Sequence, residues 1–282
     1  MSNDSNETNG ARRDFLIGSF AAAALPVAAS TVSTPDQGLQ SQQIQIARPD
    51  GHSLHAYMAR PTQARGPLPV LLLVSEIFGL HAHIADVARR FAQAGYLCIA
   101  PDLFARQGNA QAHPDAQTLI REVISKVPDA QVLGDLDACL DWALAHGGDA
   151  ARVGVSGFCY GGRITWLYAA HQPKVKAGVA WYGRLLGPTT AQQPAHPIER
   201  VSQLQAPVLG LYGGQDTGIP VATVAQMQTA LKGGSLAAQR SEFVLYREAP
   251  HAFFADYRPS YREADAKDAW ARCLAWFKQH GV

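Results

Sequence analysis

The chain has 282 residues, 47% of them hydrophobic and 17% charged, and its 24 Lys and Arg against 23 Asp and Glu leave a formal net charge of +1. This composition excludes a disordered protein, which is charge-rich and poor in apolar residues, and argues against a dedicated nucleic-acid binder, which carries a basic excess. A chain of this length folds as one large α/β domain or two small ones.

The first 29 residues have the pattern of an export signal. Arg12 and Arg13 stand just before a mainly apolar run from Phe15 to Ala29, which ends in small residues. The pattern resembles a twin-arginine signal, which export machinery reads, and it predicts a periplasmic or secreted protein. A run of about 15 residues is too short to span a bilayer, so no stable membrane anchor is predicted. The alternatives are a disordered tail with a chance arginine pair and an uncleaved anchor.

The rest of the chain predicts a linker and one α/β domain. Residues 30–42 are rich in Ser, Thr and Gln and show no periodicity, which is typical of a linker, and residues 43–282 form the domain. Short apolar or alternating runs predict strands at 43–46, 54–58, 69–74, 97–100, 153–155, 175–181, 208–212 and 243–246. Apolar residues three and four apart predict helices at 83–94, 131–146, 161–171, 221–231 and 261–280. This order predicts a mainly parallel sheet with helices on both faces and an N-terminal antiparallel hairpin.

A nucleophile turn is predicted between the strand at 153–155 and the helix after it. Residues 157–161 read Gly-Phe-Cys-Tyr-Gly, the nucleophile-elbow pattern with Cys in place of Ser. Cys159 would stand at a helix N-terminus, where the helix dipole favours a thiolate. The backbone N–H of Tyr160 would help to bind an oxyanion. The alternative is a glycine-rich turn with an inert cysteine.

Two further residues complete a catalytic triad in the expected chain order. Asp216 follows the strand at 208–212, and His251 follows the strand at 243–246. Both lie at carboxyl ends of predicted strands, where sites form in open α/β sheets. Asp216 would orient the imidazole of His251, which would act as base and acid. Alone, Asp216 could be a turn residue and His251 a polar rim residue.

The sequence predicts neither a cofactor nor a metal. Phosphate-cradling and dinucleotide patterns are absent, and His81 and His83 lack a third ligand at a convincing spacing. The other cysteines, which lie in strand or helix patterns, are predicted to be buried packing residues: Cys98, Cys139 and Cys273.

Four motifs in order give the domain a resemblance to the dienelactone hydrolase family of α/β-hydrolases. They occupy residues 75–79, 101–106, 158–162 and 213–216, and read Ser-Glu-Ile-Phe-Gly, Pro-Asp-Leu-Phe-Ala-Arg, Phe-Cys-Tyr-Gly-Gly and Gly-Gly-Gln-Asp. The resemblance implies an α/β-hydrolase fold over about residues 43–280.

The resemblance also implies roles for residues of these motifs. The N–H of Ile77 would be the second oxyanion donor beside Tyr160. Glu76 would pair with the resting thiol of Cys159 and limit its reactivity. Arg106 would bind a substrate carboxylate, which suits a bidentate guanidinium. As alternatives, Glu76 could be a structural loop acid and Arg106 a surface arginine.

The chain departs from the family pattern after His251. A polar residue and an arginine that contact the substrate carboxylate in the type enzyme are replaced by Ala252 and Ala255, and Arg258 could substitute. Phe253, Phe254 and Tyr257 indicate an aromatic wall or core residues of the last helix. The residues predicted to contact substrate, besides Arg106, are Phe78, Tyr182 and Phe253.

The sequence therefore predicts a hydrolase that cleaves a small lactone or carboxylic ester through a thioester of Cys159. The first alternative is a broad-specificity carboxylesterase acting on neutral esters. The second is a non-catalytic binding or thiol-sensing protein on the same scaffold. The expected partners are the small substrate and the twin-arginine export machinery, without nucleic acid.

Overall fold

The computed structural model describes residues 32–113 and 115–282, in which eight strands form one sheet. The predicted signal, residues 1–29, lies outside the described residues. The strands are β1 Leu39–Ala47, β2 Ser53–Pro61, β3 Leu68–Val74, β4 Leu97–Pro101, β5 Gly148–Phe158, β6 Val175–Trp181, β7 Val208–Gly213 and β8 Glu242–Tyr246. The helices are α1 Ala82–Gln93, α2 Ala116–Glu122, α3 Asp129–Ala145, α4 Tyr160–His171, α5 Val221–Lys232, α6 Leu236–Gln239 and α7 Glu263–Gln279. Short 3₁₀ helices lie at Ala110–Ala112, Ile124–Lys126 and Pro197–Gln203.

The sheet has the order β1-β2-β4-β3-β5-β6-β7-β8. β1 pairs with β2 and β2 with β4 in antiparallel fashion, and all other neighbours are parallel. The predicted fold class, a mainly parallel sheet with an antiparallel N-terminal hairpin, is confirmed. β1 nevertheless begins at Leu39, inside the predicted linker, because this polar edge strand shows little apolar alternation before Ile44.

Two apolar layers cover the sheet, as the continuous apolar run of β3 requires. Val70, Leu72 and Val74 face one layer, and Leu71 and Leu73 face the other. The first layer contains the buried sides of α3, α4 and α5, and the second contains those of α1 and α7. Strands buried on both faces are typical of parallel sheets, whose crossover helices lie on both sides.

This topology brings the ends of four strands to one edge of the sheet. β3, β5, β7 and β8 run parallel, so the loops that carry Glu76, Cys159, Asp216 and His251 all leave from the same edge. No helix of the described residues is long and apolar enough to cross a membrane.

Candidate active site

Cys159 stands on a sharp turn between β5 and α4, with φ of 53° and ψ of −108°. Residues other than glycine rarely adopt this backbone conformation, so the surrounding structure must enforce it. The flanking glycines allow the close approach: a Cβ on Gly157 would lie 2.4 Å from the carbonyl oxygen of Gly161, and one on Gly161 would lie 2.2 Å from that of Val74. The thiol is thereby held at the N-terminus of α4, where the helix dipole favours an anion.

His251 lies between the thiol and a buried acid. Its Nδ1 is 2.7 Å from Oδ2 of Asp216, and Oδ1 of that carboxylate accepts hydrogen bonds from the backbone N–H groups of Gly218 and Ile219. Because the carboxylate accepts a hydrogen bond from Nδ1, Nε2 is the ring nitrogen left to interact with Cys159. Burial by itself lowers the pKa of His251, but the negative charges of Cys159 and Asp216 and their hydrogen bonds raise it to about 10. His251 therefore favours its charged imidazolium form beside Cys159.

Two backbone N–H groups are available beside the thiol. Tyr160 is the first residue of α4, and Ile77 follows β3 in the adjacent loop. Among the described residues, neither N–H donates to a backbone carbonyl. Both residues line the cavity that Cys159 enters. Their assignment as oxyanion donors stays a prediction that this placement favours.

Glu76 is held by two side chains other than the thiol. Its Oε1 accepts a hydrogen bond from the hydroxyl of Tyr257 at 2.6 Å and lies 2.8 Å from Nε2 of His81. Its Oε2 is buried and has no hydrogen-bond partner among the described residues. Burial alone would raise the pKa of Glu76, but the charges of His81, His83 and Arg258 hold it well below its usual range. The expected pairing of Glu76 with the thiol is therefore not made here.

Arg106 does not reach the site, which corrects its predicted role. Its two terminal nitrogens each lie 2.9 Å from a carboxylate oxygen of Asp135, which is buried on α3. Asp50 lies 3.5 Å from the same guanidinium. Arg106 lines neither of the cavities at Cys159, because Asp135 engages it in a bidentate ion pair.

Cys159 lines two spaces. The larger cavity, of about 160 Å³, is lined by Ile77, Ile120, Ile124, Ser125, Cys159, Tyr160, Arg163, Tyr182, Arg184, Thr190, Gln193 and Ile219. The small chamber, of about 20 Å³, is lined by Glu76, Ile77, Phe78, His83, Phe158, Cys159, Tyr182, His251, Ala252, Ala255 and Arg258. Ile77, Cys159 and Tyr182 form the wall that the two spaces share.

The predicted substrate-contacting aromatics divide between the site and the core. Phe78 and Tyr182 line the small chamber. Phe253 is fully buried and packs against Trp181 and Tyr246 behind Tyr182, so its predicted contact with substrate is wrong. Phe253 stands two residues after His251, and the sequence could not show that the turn directs its side chain inward.

Three arginines that carry charge at the site lie outside the recognised motifs. Arg184 and Arg163 line the larger cavity, and Asp129 engages Arg163 through two 2.7 Å hydrogen bonds. Burial lowers the pKa of Arg184, and the negative charge of Cys159 opposes that effect. Arg258 lines the small chamber, with its guanidinium carbon 4.7 Å from the ring centre of Phe78. Of these three arginines, the sequence pattern singles out only Arg258.

The remaining histidines and cysteines have structural surroundings. His81 lies against Glu76, and Nδ1 of His83 is 3.1 Å from Oδ1 of Asp256. Within the described ranges, no group of three His, Cys, Asp or Glu side chains could hold a metal ion. The other three cysteines are buried and unpaired, and burial raises the pKa of each thiol: Cys98, Cys139 and Cys273.

The sheet order and the cysteine elbow define the class of protein, an α/β-hydrolase. Residues 54–281 match the family model "Dienelactone hydrolase family", and the chain belongs to that family. It is 53% identical to a "Putative carboxymethylenebutenolidase" of Methylorubrum extorquens, over 93% of this chain and 89% of that protein. A Salmonella typhimurium protein of the same name is 52% identical over 93% and 96%.

A solved structure gives the same assignment. The crystal structure of a "Putative Dienelactone Hydrolase" from Klebsiella pneumoniae is 54% identical and superposes with a TM-score of 0.83, covering 86% of this chain and 99% of that one. With these relatives, the chain is a hydrolase that acts on ester bonds.

Proposed function

We propose that the protein is a cysteine hydrolase that cleaves a small lactone or carboxylic ester through a thioester of Cys159. The observation that carries the proposal is the ordered contact of Asp216 with His251 beside a cysteine on a strained elbow. Such a constellation activates a nucleophile and supplies a proton to the leaving group.

The first half-reaction follows from this geometry. The thiolate of Cys159 attacks the carbonyl carbon, and the developing oxyanion accepts hydrogen bonds from the N–H groups of Ile77 and Tyr160. Collapse of the tetrahedral intermediate breaks the C–O bond, and the imidazolium of His251 protonates the leaving oxygen. For a lactone this oxygen stays in the same molecule, so the product of this step is a ring-opened thioester.

The larger cavity indicates a small substrate that carries a carboxylate. Four isoleucines, Ile77, Ile120, Ile124 and Ile219, line the space, and Arg184 supplies a half-buried positive charge to it. A lactone that bears a carboxylate fits this lining, and the relatives' name, carboxymethylenebutenolidase, describes such a compound. The alternative, a broad-specificity carboxylesterase, is favoured by Ala252 and Ala255 and by the engagement of Arg106 with Asp135.

Replacement of Cys159 tests the cysteine mechanism. Turnover of activated esters by Cys159→Ala is expected to fall to background, and unchanged turnover would refute the cysteine mechanism.

A panel of neutral and carboxylate-bearing esters separates the two functions. Arg184→Met is expected to lower kcat/KM for carboxylate-bearing esters roughly 10- to 100-fold, the range for a hydrogen bond to a charged group. The kcat/KM of this variant for neutral esters should stay within about 2-fold of that of the unmodified protein. An equal loss with both classes of ester would support the broad-specificity carboxylesterase.

The N-terminal pattern supports a further proposal, export by the twin-arginine route to the periplasm. The support is the sequence alone, the arginine pair at 12–13 and the short apolar run after it. The full chain is expected in the periplasmic fraction of a bacterial host with that machinery. Changing both Arg12 and Arg13 to Lys should retain it in the cytoplasm. Unmodified protein found in the cytoplasm would refute the proposal.

A further inference from the structure

A long connection after β6 forms part of the larger cavity. Residues 182–196, here called the cavity loop, contain no helix or strand and lead into the 3₁₀ helix Pro197–Gln203. Connections of this length are uncommon and usually belong to binding sites or lids. Four residues of the cavity loop line the larger cavity: Tyr182, Arg184, Thr190 and Gln193. The cavity loop thus supplies much of the polar lining, whereas the four isoleucines come from other segments.

Apolar burial does not hold the middle of the cavity loop. Residues 187–192 are all exposed, whereas Leu185 near its start and Ala195 and His196 at its end are buried. An exposed stretch gains little from the removal of apolar surface from water, so its position depends on hydrogen bonds to the rest of the protein.

Arg163 ties the end of the cavity loop to α4, the helix that begins directly after Cys159. Its Nη1 and Nη2 each donate to a carboxylate oxygen of Asp129 at 2.7 Å. Nη2 also donates to the carbonyl of Ala195 at 2.6 Å, and Nε donates to Nδ1 of His196 at 3.3 Å. Only 3% of Arg163 is exposed, and each of its guanidinium nitrogens donates to the protein. Arg163 is therefore suited to hold the loop rather than to bind substrate.

His196 extends this tie across the cavity loop. Its Nε2 lies 2.9 Å from the carbonyl oxygen of Pro188, which can only accept, so Nε2 carries the proton and Nδ1 accepts from Arg163. Burial lowers the pKa of His196 despite the bond to Pro188, which favours the neutral ring that this arrangement needs. A Cβ on Gly187 would lie 3.6 Å from both Nε2 of His196 and Cδ of Arg184. The ring of His196 and the side chain of Arg184 thus pack beside the same point of the loop.

Asp129 provides a second tie. It is the first residue of α3, and its backbone N–H donates to the carbonyl of Gln192 at 2.8 Å. The first N–H groups of a helix have no partner within the helix, so the loop carbonyl supplies one. After burial and against the effect of Cys159, the charge of Arg163 contributes to lowering the pKa of Arg184. The ion pair with Asp129 moderates this repulsion between the two arginines.

We propose that Arg163 is a positioning residue that fixes the cavity loop and thereby sets the preference of the enzyme for substrates that carry a carboxylate. Arg163 holds the loop at Ala195 and His196, and the loop places Arg184 where its guanidinium meets the substrate carboxylate. This assignment rests on the proposed function, and in particular on the role given there to Arg184.

Two variants release the cavity loop from different sides. Arg163→Lys keeps a positive charge beside the buried Asp129, so the protein should fold, but an ammonium group cannot reproduce the planar set of donors. His196→Leu removes the ring that accepts from Arg163 and leaves the ion pair with Asp129 in place. Arg200→Lys is the matched control, because Arg200 lies on the following 3₁₀ helix and donates to Gln203.

The kinetic measurement compares kcat/KM for 4-nitrophenyl hemisuccinate and 4-nitrophenyl butyrate, after subtraction of the uncatalysed rates. The two acyl chains have the same number of carbon atoms and differ in the terminal carboxylate. The ratio of the two values should fall roughly 10-fold in Arg163→Lys and in His196→Leu, mainly through KM, because the bond from Arg184 to the carboxylate is weakened. The double variant should lose about as much as either single variant, since both act through one loop. Arg200→Lys should keep the ratio within about 2-fold.

Hydrogen exchange of the peptide that contains residues 184–196 reports on the cavity loop without turnover. Its amides should exchange roughly 10-fold faster in Arg163→Lys and His196→Leu, because loss of a hydrogen bond to a charged group makes local opening easier. Arg200→Lys should exchange as the unmodified protein does. This readout does not depend on Cys159, so failure of the cysteine mechanism, seen as undiminished turnover by Cys159→Ala, is distinguishable from failure of this proposal.

The same measurements give the results that would overturn the proposal. Unchanged exchange in both loop variants would show that Arg163 does not hold the cavity loop. Faster exchange with an unchanged ratio of kcat/KM would show that the position of the loop does not set the preference for a carboxylate. An equal loss of kcat/KM with both esters would assign Arg163 to the stability of α4 and the elbow.

Discussion

At the scale of single residues, the reactivity of Cys159 depends on the charge of its neighbours. The imidazolium of His251 is stabilised by Asp216, whose other oxygen is fixed by two backbone N–H groups. The pKa of His251 is raised to about 10, so its charged form is present at neutral pH and is lost as the pH rises through about 10. The activity of the first half-reaction should therefore decline on the alkaline side.

Asp216→Asn tests this dependence. The variant removes one of the two negative charges that raise the pKa of His251, so the alkaline limb of kcat/KM should move to lower pH. The maximal kcat/KM should fall by roughly 10³- to 10⁴-fold, as expected when a triad histidine loses its orienting acid. A pH profile with 4-nitrophenyl acetate measures both effects. Glu248→Gln, at an exposed position, is the control, and an unshifted alkaline limb in Asp216→Asn would contradict the account.

The site residues that the sequence located are those with a local motif around them. Cys159, Asp216 and His251 each follow a strand, and the structure brings them together. Arg106 also has a motif, but it lies in a turn and its partner Asp135 is 29 residues away on α3. No local pattern reveals this ion pair. Arg184 carries no motif, and it reaches the larger cavity only because its loop folds towards Cys159.

At the scale of elements, the elbow is the most constrained part of the fold. The tight approach of α4 to the end of β3 leaves no space at Gly161, where a Cβ would meet the carbonyl oxygen of Val74 at 2.2 Å. The backbone of both partners would have to shift, since a carbonyl group in a buried strand has no flexible end to move away.

Gly161→Ala is therefore expected to destabilise the protein by more than about 2 kcal/mol and to abolish turnover. Gly233→Ala is the matched control, because the nearest atom to its Cβ would be 3.8 Å away, and its stability should change by less than about 0.5 kcal/mol. Urea unfolding of the two variants and the unmodified protein gives both values. Equal stability of the two variants would contradict this assignment of strain.

The elements that the sequence pattern predicts are the long ones. All eight strands and the five longest helices follow from apolar periodicity, whereas α2 and α6 have only seven and four residues. Periodicity needs more residues than that to be visible. The N-cap of α2 did carry a signal, because the Asp115 side chain accepts from the N–H of Thr118. This missed segment matters for function, since Ile120 and the following Ile124 line the larger cavity.

At the scale of the whole molecule, residues 32–38, which precede β1, contact the domain. The N–H of Thr34 donates to Asp86 on α1 at 2.6 Å, and Arg89 donates back to the carbonyl of Thr34 at 3.1 Å. Asp86 also accepts a hydrogen bond from Arg90, and Arg90 donates another to Asp256, five residues after His251. Through Thr34, the described residues 32–38 are thus tied to the layer that supports the site.

Truncation tests this tie. A chain that begins at Leu39 is expected to unfold at lower urea concentration than one that begins at Val32, with a loss of about 1–3 kcal/mol, because Asp86 loses two donors while staying buried. Asp86 keeps both arginines, so the shorter chain should still fold. Identical unfolding midpoints for the two chains would show that residues 32–38 contribute nothing to stability.

The central claim, a thioester on Cys159, is tested most directly by the mass of the protein quenched during turnover of an activated ester. The account predicts one acyl group per chain, located on the peptide that contains Cys159 and absent from Cys159→Ala. An acyl group on another residue, or undiminished turnover by Cys159→Ala, would contradict it.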